Sequence, residues 1–317
     1  MAFLGFLEER FFIFMDQLMF RSGYVTIVGE PNVGKSTLLN ALIGQKLSIV
    51  TRKPQTTRQR ILGILTKENY QIIFLDTPGL IKPKYLLHQE MIRHAESALN
   101  DADVILVLIQ AAHDGELAKE VSDRINCWSK KKTLFLVINK IDKVDEKQLN
   151  LMVQSFSKYD IFEHIIPISA LKHKNLDVLL SSIISNLPIH NAYYPDDIVS
   201  EYPERFFVAE IIRENIFERY RDEIPYSTAV EIREFTERKD KKTFINADII
   251  VERDSQKGIL IGKRGVALKD IGTYARKDIE KFLQHEIYLE LHIKVRNKWR
   301  DNKTMLRQFG YTSESQL

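Results

Sequence analysis

The eight residues from Gly29 to Ser36, GEPNVGKS, constrain the fold of this chain more than any other feature. They match the pattern G-x-x-x-x-G-K-[ST], in which backbone N–H groups surround phosphates, the lysine reaches the outer phosphates and the serine hydroxyl coordinates magnesium. The apolar run at residues 24–28 predicts a buried strand before the loop, and residues 36–42 predict a helix after it. A strand, a glycine-containing loop and a helix in this order indicate a phosphate-binding α/β domain.

Four further short segments follow this loop in a fixed order, the last of them ending at residue 170. They are Thr56-Thr57, Asp76-Thr77-Pro78-Gly79, Asn139-Lys140-Ile141-Asp142 and Ser169-Ala170. A hard cation keeps several waters and takes few carboxylates, so we expect Asp76 to hold Mg²⁺ through water. Gly79 has no side chain, so its N–H can approach a γ-phosphate closely. The loop and these segments therefore predict a magnesium-dependent nucleoside triphosphate site.

The third and fourth segments select the base. The Asp142 carboxylate can accept two hydrogen bonds from the N1–H and N2 edge of guanine, which adenine does not present. Asn139 is expected to read the same base, and Ser169-Ala170 to offer backbone N–H groups to the guanine oxygen. The sequence therefore predicts GTP. The predicted nucleotide-binding residues are Gly29, Glu30, Pro31, Asn32, Val33, Gly34, Lys35, Ser36, Thr37, Asp76, Thr77, Pro78, Gly79, Leu80, Asn139, Lys140, Asp142, Ser169 and Ala170.

Hydrolysis is expected to be slow, because Leu80 stands where many GTPases carry a glutamine that orients the attacking water. Leucine cannot polarise water. The water must then be positioned by backbone groups, a switch side chain or a partner. Lys35 and Gly79 are predicted to be catalytic.

Alternating apolar and amphipathic runs predict a mostly parallel sheet of about six strands with helices on both faces, and ligands at the carboxyl ends of the strands. The strand runs are 24–28, 61–65, 72–75, 104–109, 134–138 and 165–168, and the helical runs are 88–99, 117–128, 147–157 and 176–186. Two of the strand runs, with Asn69 in the turn between them, predict an antiparallel hairpin at the sheet edge.

The pattern changes after Pro188. Residues 189–204 lack periodicity, which predicts a linker. A helix at 206–220, strands at 228–235 and 244–251, a helix at 266–284 broken at Gly272, and a strand at 287–295 then predict an α+β domain. The whole chain of 317 residues is long enough for about two domains of roughly 150 residues.

The tetrapeptide Gly262-Lys263-Arg264-Gly265 lies between apolar residues and the predicted helix, as in KH domains, which clamp nucleic-acid backbone with a GXXG loop. Glycines let phosphates approach, and a helix N-terminus and cations attract them. A second basic run, residues 294–300, contains Trp299, which either stacks on a base or fills the core. Residues 205–317 hold 23 Lys and Arg against 19 Asp and Glu. Because this excess of positive charge is small, an RNA-binding surface must be confined to one face of the domain. The predicted RNA-binding residues are Gly262, Lys263, Arg264, Gly265, Lys269, Lys294, Arg296 and Lys298.

The first twenty residues are apolar but interrupted by charges, so no run reaches the ~18 apolar residues of a membrane span, and no basic region precedes them as in a signal peptide. They are either an interfacial helix or the product of a start codon upstream of Met15 or Met19, and we favour the upstream start. The single cysteine, Cys127, excludes an internal disulfide and favours a reducing compartment.

From about residue 24 to residue 311 the chain resembles the bacterial Era GTPase family. The shared features are the phosphate loop, the KPQTTR segment at 53–58, DTPGL at 76–80 and IGKRG at 261–265. The family loop often begins Gly-Arg, whereas Glu30 follows Gly29 here. The resemblance implies a P-loop GTPase domain at 21–188, a linker at 189–204 and a KH domain at 205–317, with residues 1–20 an extension outside the family pattern.

The resemblance also implies a biological role. The expected activity is that of a GTP-hydrolysing switch in assembly of the small ribosomal subunit, which binds the 3′ end of small-subunit ribosomal RNA through its KH domain. It implies a cytoplasmic protein, peripherally associated with the inner membrane, and we expect a monomer. Because the family places the switch threonine directly before Arg58, we assign that role to Thr57, with Thr56 as the alternative. The predicted Mg²⁺ ligands are thus Ser36, Thr57 and Asp76, and Thr57 joins the catalytic set.

Two rival functions stay open at this point. One is an RNA-binding scaffold with an inactive nucleotide site, which the presence of Lys35, Ser36 and Asp76 disfavours. The other is a GTPase that modifies transfer RNA or docks on membranes. Such modifying enzymes need further catalytic residues, and the sequence shows no reactive cysteine or metal-binding motif.

Overall fold

The structure is a computed structural model that describes residues 20–51, 53–79, 83–111, 122, 125, 128, 132–237 and 242–312. Residues 1–19 of the N-terminal extension, Leu80, Cys127 and most of the predicted helix at 117–128 lie outside these residues; Ser122, Ile125 and Trp128 within that run are helical. The chain divides into two units. The first takes in the described residues up to Gly44 together with Leu62–Asp76 and Ala98–Glu201, and the second takes in Gln45–Ile61, Thr77–Ser97 and the described residues from Tyr202 onward.

The first unit is built on a six-stranded sheet with the strand order β2-β3-β1-β4-β5-β6. The strands are β1 (Arg21–Gly29), β2 (Ile61–Lys67), β3 (Tyr70–Asp76), β4 (Val104–Gln110), β5 (Thr133–Asn139) and β6 (His164–Pro167). The four strand pairs from β3 across to β6 are parallel. The helices are α1 (Lys35–Ile43), α2 (Leu86–Asp101), which begins in the second unit, α3 (Glu146–Phe156) and α4 (Leu176–Asn186). The predicted mostly parallel sheet is confirmed.

Parallel strands covered on both faces need continuous apolar sequence, and β4 satisfies this with five consecutive residues, Val104 to Leu108, fully buried. Only two residues connect β2 to β3, so these neighbouring strands form the predicted hairpin, with Asn69 in the turn. The register pairs Ile27 with Asp76, and Gln110 with Asn139. The carboxyl ends of four strands therefore meet at one edge, where Gly29, Asp76 and Asn139 lie.

Residues 189–201, interpreted from sequence as part of a linker, belong to the first unit and bond to its sheet. The Gln71 side-chain oxygen accepts the N–H groups of Tyr193 and Tyr194 at 2.7 and 2.9 Å. The N–H of Ile64 donates to the carbonyl of Val199 at 2.8 Å. These bonds satisfy backbone groups of a segment that has almost no regular secondary structure of its own.

The second unit contains a three-stranded sheet of order β7-β8-β9. Its elements are α5 (Glu204–Arg219), α6 (Ile224–Ser227), β7 (Ala229–Thr236), β8 (Thr243–Val251), α7 (Asp254–Ile261), α8 (Val266–Leu283), β9 (Ile287–Val295) and α9 (Lys303–Gln308). Strand β8 pairs antiparallel with β7 and parallel with β9. The core joins the helices to one sheet face through Ile212, Ile249, Ile271 and Ile279. This confirms the α+β domain expected from sequence.

One detail of that prediction is wrong, because α8 runs unbroken through Gly272. A glycine inside a helix costs only about 1 kcal/mol relative to alanine, and burial of Ile271, Ala275 and Ile279 on one face offsets that cost. A Cβ atom at position 272 would lie 3.5 Å from Leu291 Cδ1, an ordinary van der Waals contact, so the packing around Gly272 does not interrupt the helix.

No helix in the described part of the chain combines the length and hydrophobicity needed to cross a bilayer.

Candidate functional site

The phosphate loop connects β1 to α1, and two of its glycines are required by close contacts. A Cβ atom at Gly29 would lie 2.2 Å from the Leu108 carbonyl oxygen, and one at Gly34 would lie 2.4 Å from the Asn139 side-chain nitrogen. Gly34 also has a φ of +103°, which L side chains rarely adopt. The loop is therefore held against β4 and β5 by backbone that only glycine permits, with the N-terminus of α1 directly behind it.

Lys35 lies at the start of α1 and is 8% exposed. Its Nζ donates to the carbonyl oxygens of Gly29 at 3.0 Å and Glu30 at 2.8 Å, so the ammonium group is folded back over the loop. Burial lowers the pKa of Lys35 to about 8, although the nearby carboxylates of Asp76 and Glu30 raise it. The loop thus holds a partly desolvated cation that gains a partner when an anion enters.

Ser36 and Asp76 are brought together as the sequence predicts. The Ser36 hydroxyl donates to Asp76 Oδ2 at 2.8 Å, and Asp76 is fully buried at the end of β3. A hydroxyl and a carboxylate are the hard oxygen donors that Mg²⁺ takes, and Mg²⁺ sites need few protein ligands because waters complete the octahedron. The donor set in this unit therefore fits Mg²⁺.

The remaining predicted phosphate-site residues belong to the second unit. Thr57, Thr77 and Pro78 are buried there, and Gly79 is partly exposed. Leu80, the residue on which the expectation of slow turnover depends, lies outside the described residues.

Asn139 links the base-reading segments to the phosphate loop. Its side-chain nitrogen donates to the Val33 carbonyl at 2.8 Å, and its side-chain oxygen accepts the Ala170 N–H at 3.0 Å. Lys140 Nζ donates to the Asn32 carbonyl at 2.5 Å and to Gln110 Oε1 at 3.1 Å. Asn139 and Lys140 therefore bond the base-reading segments directly to the phosphate loop.

Asp142 is exposed, and the Ser169 hydroxyl donates to its Oδ1 at 2.5 Å. This hydrogen bond is the main reason why the pKa of Asp142 lies below its ordinary value. The carboxylate is therefore ionised at neutral pH and held in one orientation, as a reader of two N–H donors requires.

The backbone N–H groups of Ser169 and Ala170 bond within the protein in the structure. The Ser169 N–H donates to the Lys174 carbonyl at 3.1 Å in an isolated bridge, and the Ala170 N–H donates to the Asn139 side-chain oxygen, so their expected contact with the guanine oxygen stays a prediction. Ser169 has a further role through its hydroxyl, which orients Asp142. Sequence reasoning missed this role because the two residues are 27 positions apart, and only the pairing of β5 with β6 brings the segments together.

The GXXG tetrapeptide lies between α7 and α8. Gly262 has a φ of +68°, and a Cβ atom there would lie 2.6 Å from Ala267 Cβ. Gly265 has a φ of +77° and open space around it. Lys263 and Arg264 are exposed. The loop thus presents two cations and the N-terminus of an 18-residue helix to solvent.

The other predicted RNA-binding cations are all exposed. Lys269 lies in the first turns of α8, whereas Lys294, Arg296 and Lys298 lie at the end of β9 and in the turn after it. Trp299 is fully buried, and its indole N–H donates to the Ser227 carbonyl at 2.8 Å. The idea that Trp299 stacks on a base is therefore wrong, and the alternative, a core residue, is confirmed.

Comparison with known proteins identifies both halves. Residues 24–140 match the family model described as 50S ribosome-binding GTPase, and residues 223–300 match that of the KH domain. GTPase Era of Clostridium novyi is 44% identical, over 92% of this chain and 99% of that protein.

Two solved structures are similar along the same length. A variant of Aquifex aeolicus Era bound to GDP and AlF4⁻ has a TM-score of 0.87 and 40% identity, and covers 92% of this chain and 99% of that one. Era in complex with MgGDPNP and nucleotides 1506–1542 of 16S ribosomal RNA has the same TM-score and coverage, with 41% identity. With this identity over nearly the full length of its relatives, the chain belongs to the Era family of GTPases, which hydrolyse GTP and carry a KH domain.

Proposed function

We propose that this GTPase is a molecular switch in assembly of the small ribosomal subunit, and that its KH domain binds the 3′ end of small-subunit ribosomal RNA. The observation that carries the proposal is the presence in one chain of a phosphate loop, a guanine-reading carboxylate at Asp142 and an exposed, cationic GXXG loop. The related Era structure that holds both a nucleotide and a 16S ribosomal RNA fragment supports it. The RNA surface would be the loop and the helix N-terminus behind it.

On the nucleotide side, Lys35 would exchange its bonds to the Gly29 and Glu30 carbonyls for the β- and γ-phosphates. Ser36 and Asp76 would hold Mg²⁺, and Thr57 would join them in the GTP-bound state. When bound, Mg²⁺ supplies positive charge to the phosphate oxygens that gain negative charge during hydrolysis. The Gly79 N–H would donate to the γ-phosphate, so that loss of this phosphate releases the segment that carries it.

Base selection would depend on Asp142. Its ionised carboxylate, oriented by Ser169, can accept both N–H groups of the guanine edge at once. Adenine offers no such pair, so an ATP complex would leave the carboxylate without these partners.

On the RNA side, the glycines would let backbone phosphates approach the loop, and the α8 N-terminus would add a favourable dipole. Lys263, Arg264 and Lys269 would neutralise phosphates, which makes the affinity depend on salt. The second cluster, Lys294, Arg296 and Lys298, would contact phosphates outside the loop.

We also propose a cytoplasmic monomer with peripheral association to the inner membrane. The support for this part is the resemblance to bacterial Era proteins alone.

The test is to crosslink the GTP-bound protein to RNA in cells and to sequence the attached fragments. We expect enrichment of the 3′ end of small-subunit ribosomal RNA. The matched control is Gly262→Asp, whose Cβ atom would collide with Ala267 and distort the loop, and whose negative charge would repel phosphate, so it should lose the enrichment. Equal recovery by the two proteins, or enrichment of transfer RNA instead, would contradict the proposal.

A further inference from the structure

The segment that carries Thr57, Gln45–Ile61, packs within the second unit against helix α5 of the KH domain. We call it the Thr57 segment. At its beginning, Glu214 of α5 takes one partner on each carboxylate oxygen: Lys46 Nζ at 2.5 Å and the Val50 N–H at 3.0 Å. Glu214 is 4% exposed and the Lys46 side chain is 46% exposed, so the carboxylate side of these bonds is shielded from water while the lysine reaches the surface. The docking is therefore polar and specific in register.

The middle of the Thr57 segment bonds to the carboxyl end of α5. Lys53 Nζ donates to the carbonyl oxygens of Phe217 and Tyr220. The last carbonyls of a helix lack partners within the helix and carry partial negative charge, so a lysine there is favourable. The segment is thus tied to α5 at two points before it reaches Thr57.

Arg213 of α5 binds the residue directly before Thr57. It is 1% exposed, and its Nη2 donates to the Thr56 carbonyl at 2.5 Å. Its Nε and Nη2 also bond to the Glu210 carboxylate at 2.8 and 2.5 Å, which orients the guanidinium group. Among the described residues, Arg213 Nη1 has no hydrogen-bond partner. Arg213 thus retains a donor for a second bond if the segment shifts.

Arg58, directly after Thr57, is anchored still more firmly. Its two terminal nitrogens donate to the carbonyls of Thr228 at 2.7 Å, Pro225 at 3.0 Å and Tyr226 at 3.1 Å, at and just beyond α6. Three aromatic rings lie within 6 Å of its Cζ atom: Phe217 at 5.9 Å, Trp299 at 5.8 Å and Tyr311 at 5.8 Å. Hydrogen bonds and cation–π contacts therefore stabilise this buried charge.

The residues on both sides of Thr57 are thus held by the KH domain and its C-terminal residues. We infer that Arg213 and Arg58 are positioning residues for GTP hydrolysis, through which the RNA-binding unit sets the position of the Thr57 hydroxyl. The inference rests on the proposed role of Thr57 as a Mg²⁺ and γ-phosphate contact. It assigns to the KH domain a part in the hydrolysis reaction itself, in addition to RNA binding.

Positioning of this kind has a specific kinetic signature. GDP has no γ-phosphate for Thr57 to contact, so loss of the Arg213 bond should leave GDP affinity unchanged. Turnover needs the hydroxyl in place, and a displacement of about 1 Å costs on the order of 100-fold in rate. The Mg²⁺ concentration for half-maximal turnover should rise as well, since one ligand is no longer preorganised. A purely structural role would change thermal stability and GDP affinity together.

The experiment compares five full-length proteins: wild type, Thr57→Ala, Arg213→Met, Arg213→Lys and the control Arg205→Met. Arg205 lies on the same helix and donates to the Ile232 carbonyl at 2.8 Å, outside the Thr57 segment. For each protein, kcat and KM for GTP, GDP affinity, the Mg²⁺ requirement and Tm are measured. We expect kcat of Arg213→Met to fall about 10- to 100-fold with unchanged GDP affinity. The kcat of Arg213→Lys, which keeps a donor near Thr56, should lie between those of wild type and Arg213→Met. The kcat of Arg205→Met should match wild type.

The inference is overturned if Arg213→Met turns over GTP like Arg205→Met while Thr57→Ala is inactive; the proposed role of Thr57 would then survive. If Thr57→Ala keeps wild-type turnover, that role is wrong and the inference fails with it. Should Arg213→Met not fold, Arg213→Lys decides, because it retains the charge beside Glu210. Wild-type kcat with a wild-type Mg²⁺ requirement in Arg213→Lys would then refute the inference.

Discussion

The depressed pKa of Lys35 predicts that nucleotide binding is coupled to proton uptake. Without nucleotide, the ammonium group is buried and its pKa is about 8 rather than 10.5. The negative charges of a bound nucleotide favour the protonated form, so the pKa should return to at least its ordinary value. Binding then takes up a proton in the pH window between about 8 and 10.5. Affinity should therefore fall as the pH rises through this value.

The size of the effect follows from the two pKa values. With pKa values of about 8 free and 10.5 bound, roughly half of the free protein must gain a proton at pH 8, so uptake is about 0.5 proton per nucleotide. At pH 9 only about one free molecule in eleven carries the charge, so Kd should be roughly 10-fold weaker than at pH 7. The effect would level off above pH 10.5, where the bound form also loses its proton.

The assay is calorimetric titration of GDP at pH 7, 8 and 9 in two buffers of different ionisation enthalpy, which separates proton uptake from the binding heat. Guanine itself loses a proton at alkaline pH, which also contributes to the measured proton exchange. The control is therefore Lys35→Arg, in which the side chain at position 35 stays charged throughout this range while the guanine contribution is the same. Wild type should show the additional proton, and Lys35→Arg should not. The same proton uptake in both proteins at pH 8 would refute the reasoning.

Three further predictions concern single side chains. Asp142→Asn replaces an acceptor with an amide that can donate to the extra carbonyl of xanthine, so affinity should move from GTP to XTP; full GTP affinity with none gained for XTP would show that Asp142 does not read the base. Ser169→Ala removes the bond that orients this carboxylate and should weaken GDP binding about 5-fold, the value of one ordinary hydrogen bond, in a direct titration; unchanged affinity would exclude the positioning role. Gly262→Asp should abolish binding of ribosomal RNA fragments while GDP affinity survives, and retained RNA affinity would remove the GXXG loop from the interface.

Much of the fold could be predicted because local sequence and burial agree. Strand β4 is a continuous apolar run and is buried on both faces, so its bounds differ from the predicted ones by a single residue. The phosphate loop and the GXXG loop depend on glycines whose backbone geometry is local. For such residues the neighbouring sequence is enough to predict the local structure.

The missed features depend on partners far along the chain. The sequence predicts an ordinary amphipathic helix for α5, yet its polar residues Arg213 and Glu214 are buried because the Thr57 segment covers them. No local sequence pattern predicts that contact, because the partners are about 160 positions apart. Trp299 was ambiguous for the same reason, because its partner Ser227 is remote in sequence.

In the proposed function, one chain couples a GTP switch to ribosomal RNA binding. The most direct measurement is the affinity for an oligonucleotide of the small-subunit ribosomal RNA 3′ end, titrated once with a non-hydrolysable GTP analogue and once with GDP. We predict tighter RNA binding in the analogue-bound state, and linkage then requires that RNA raise the affinity for the analogue, relative to GDP, by the same factor. Equal RNA affinities in the two nucleotide states would contradict the claim and leave two independent modules.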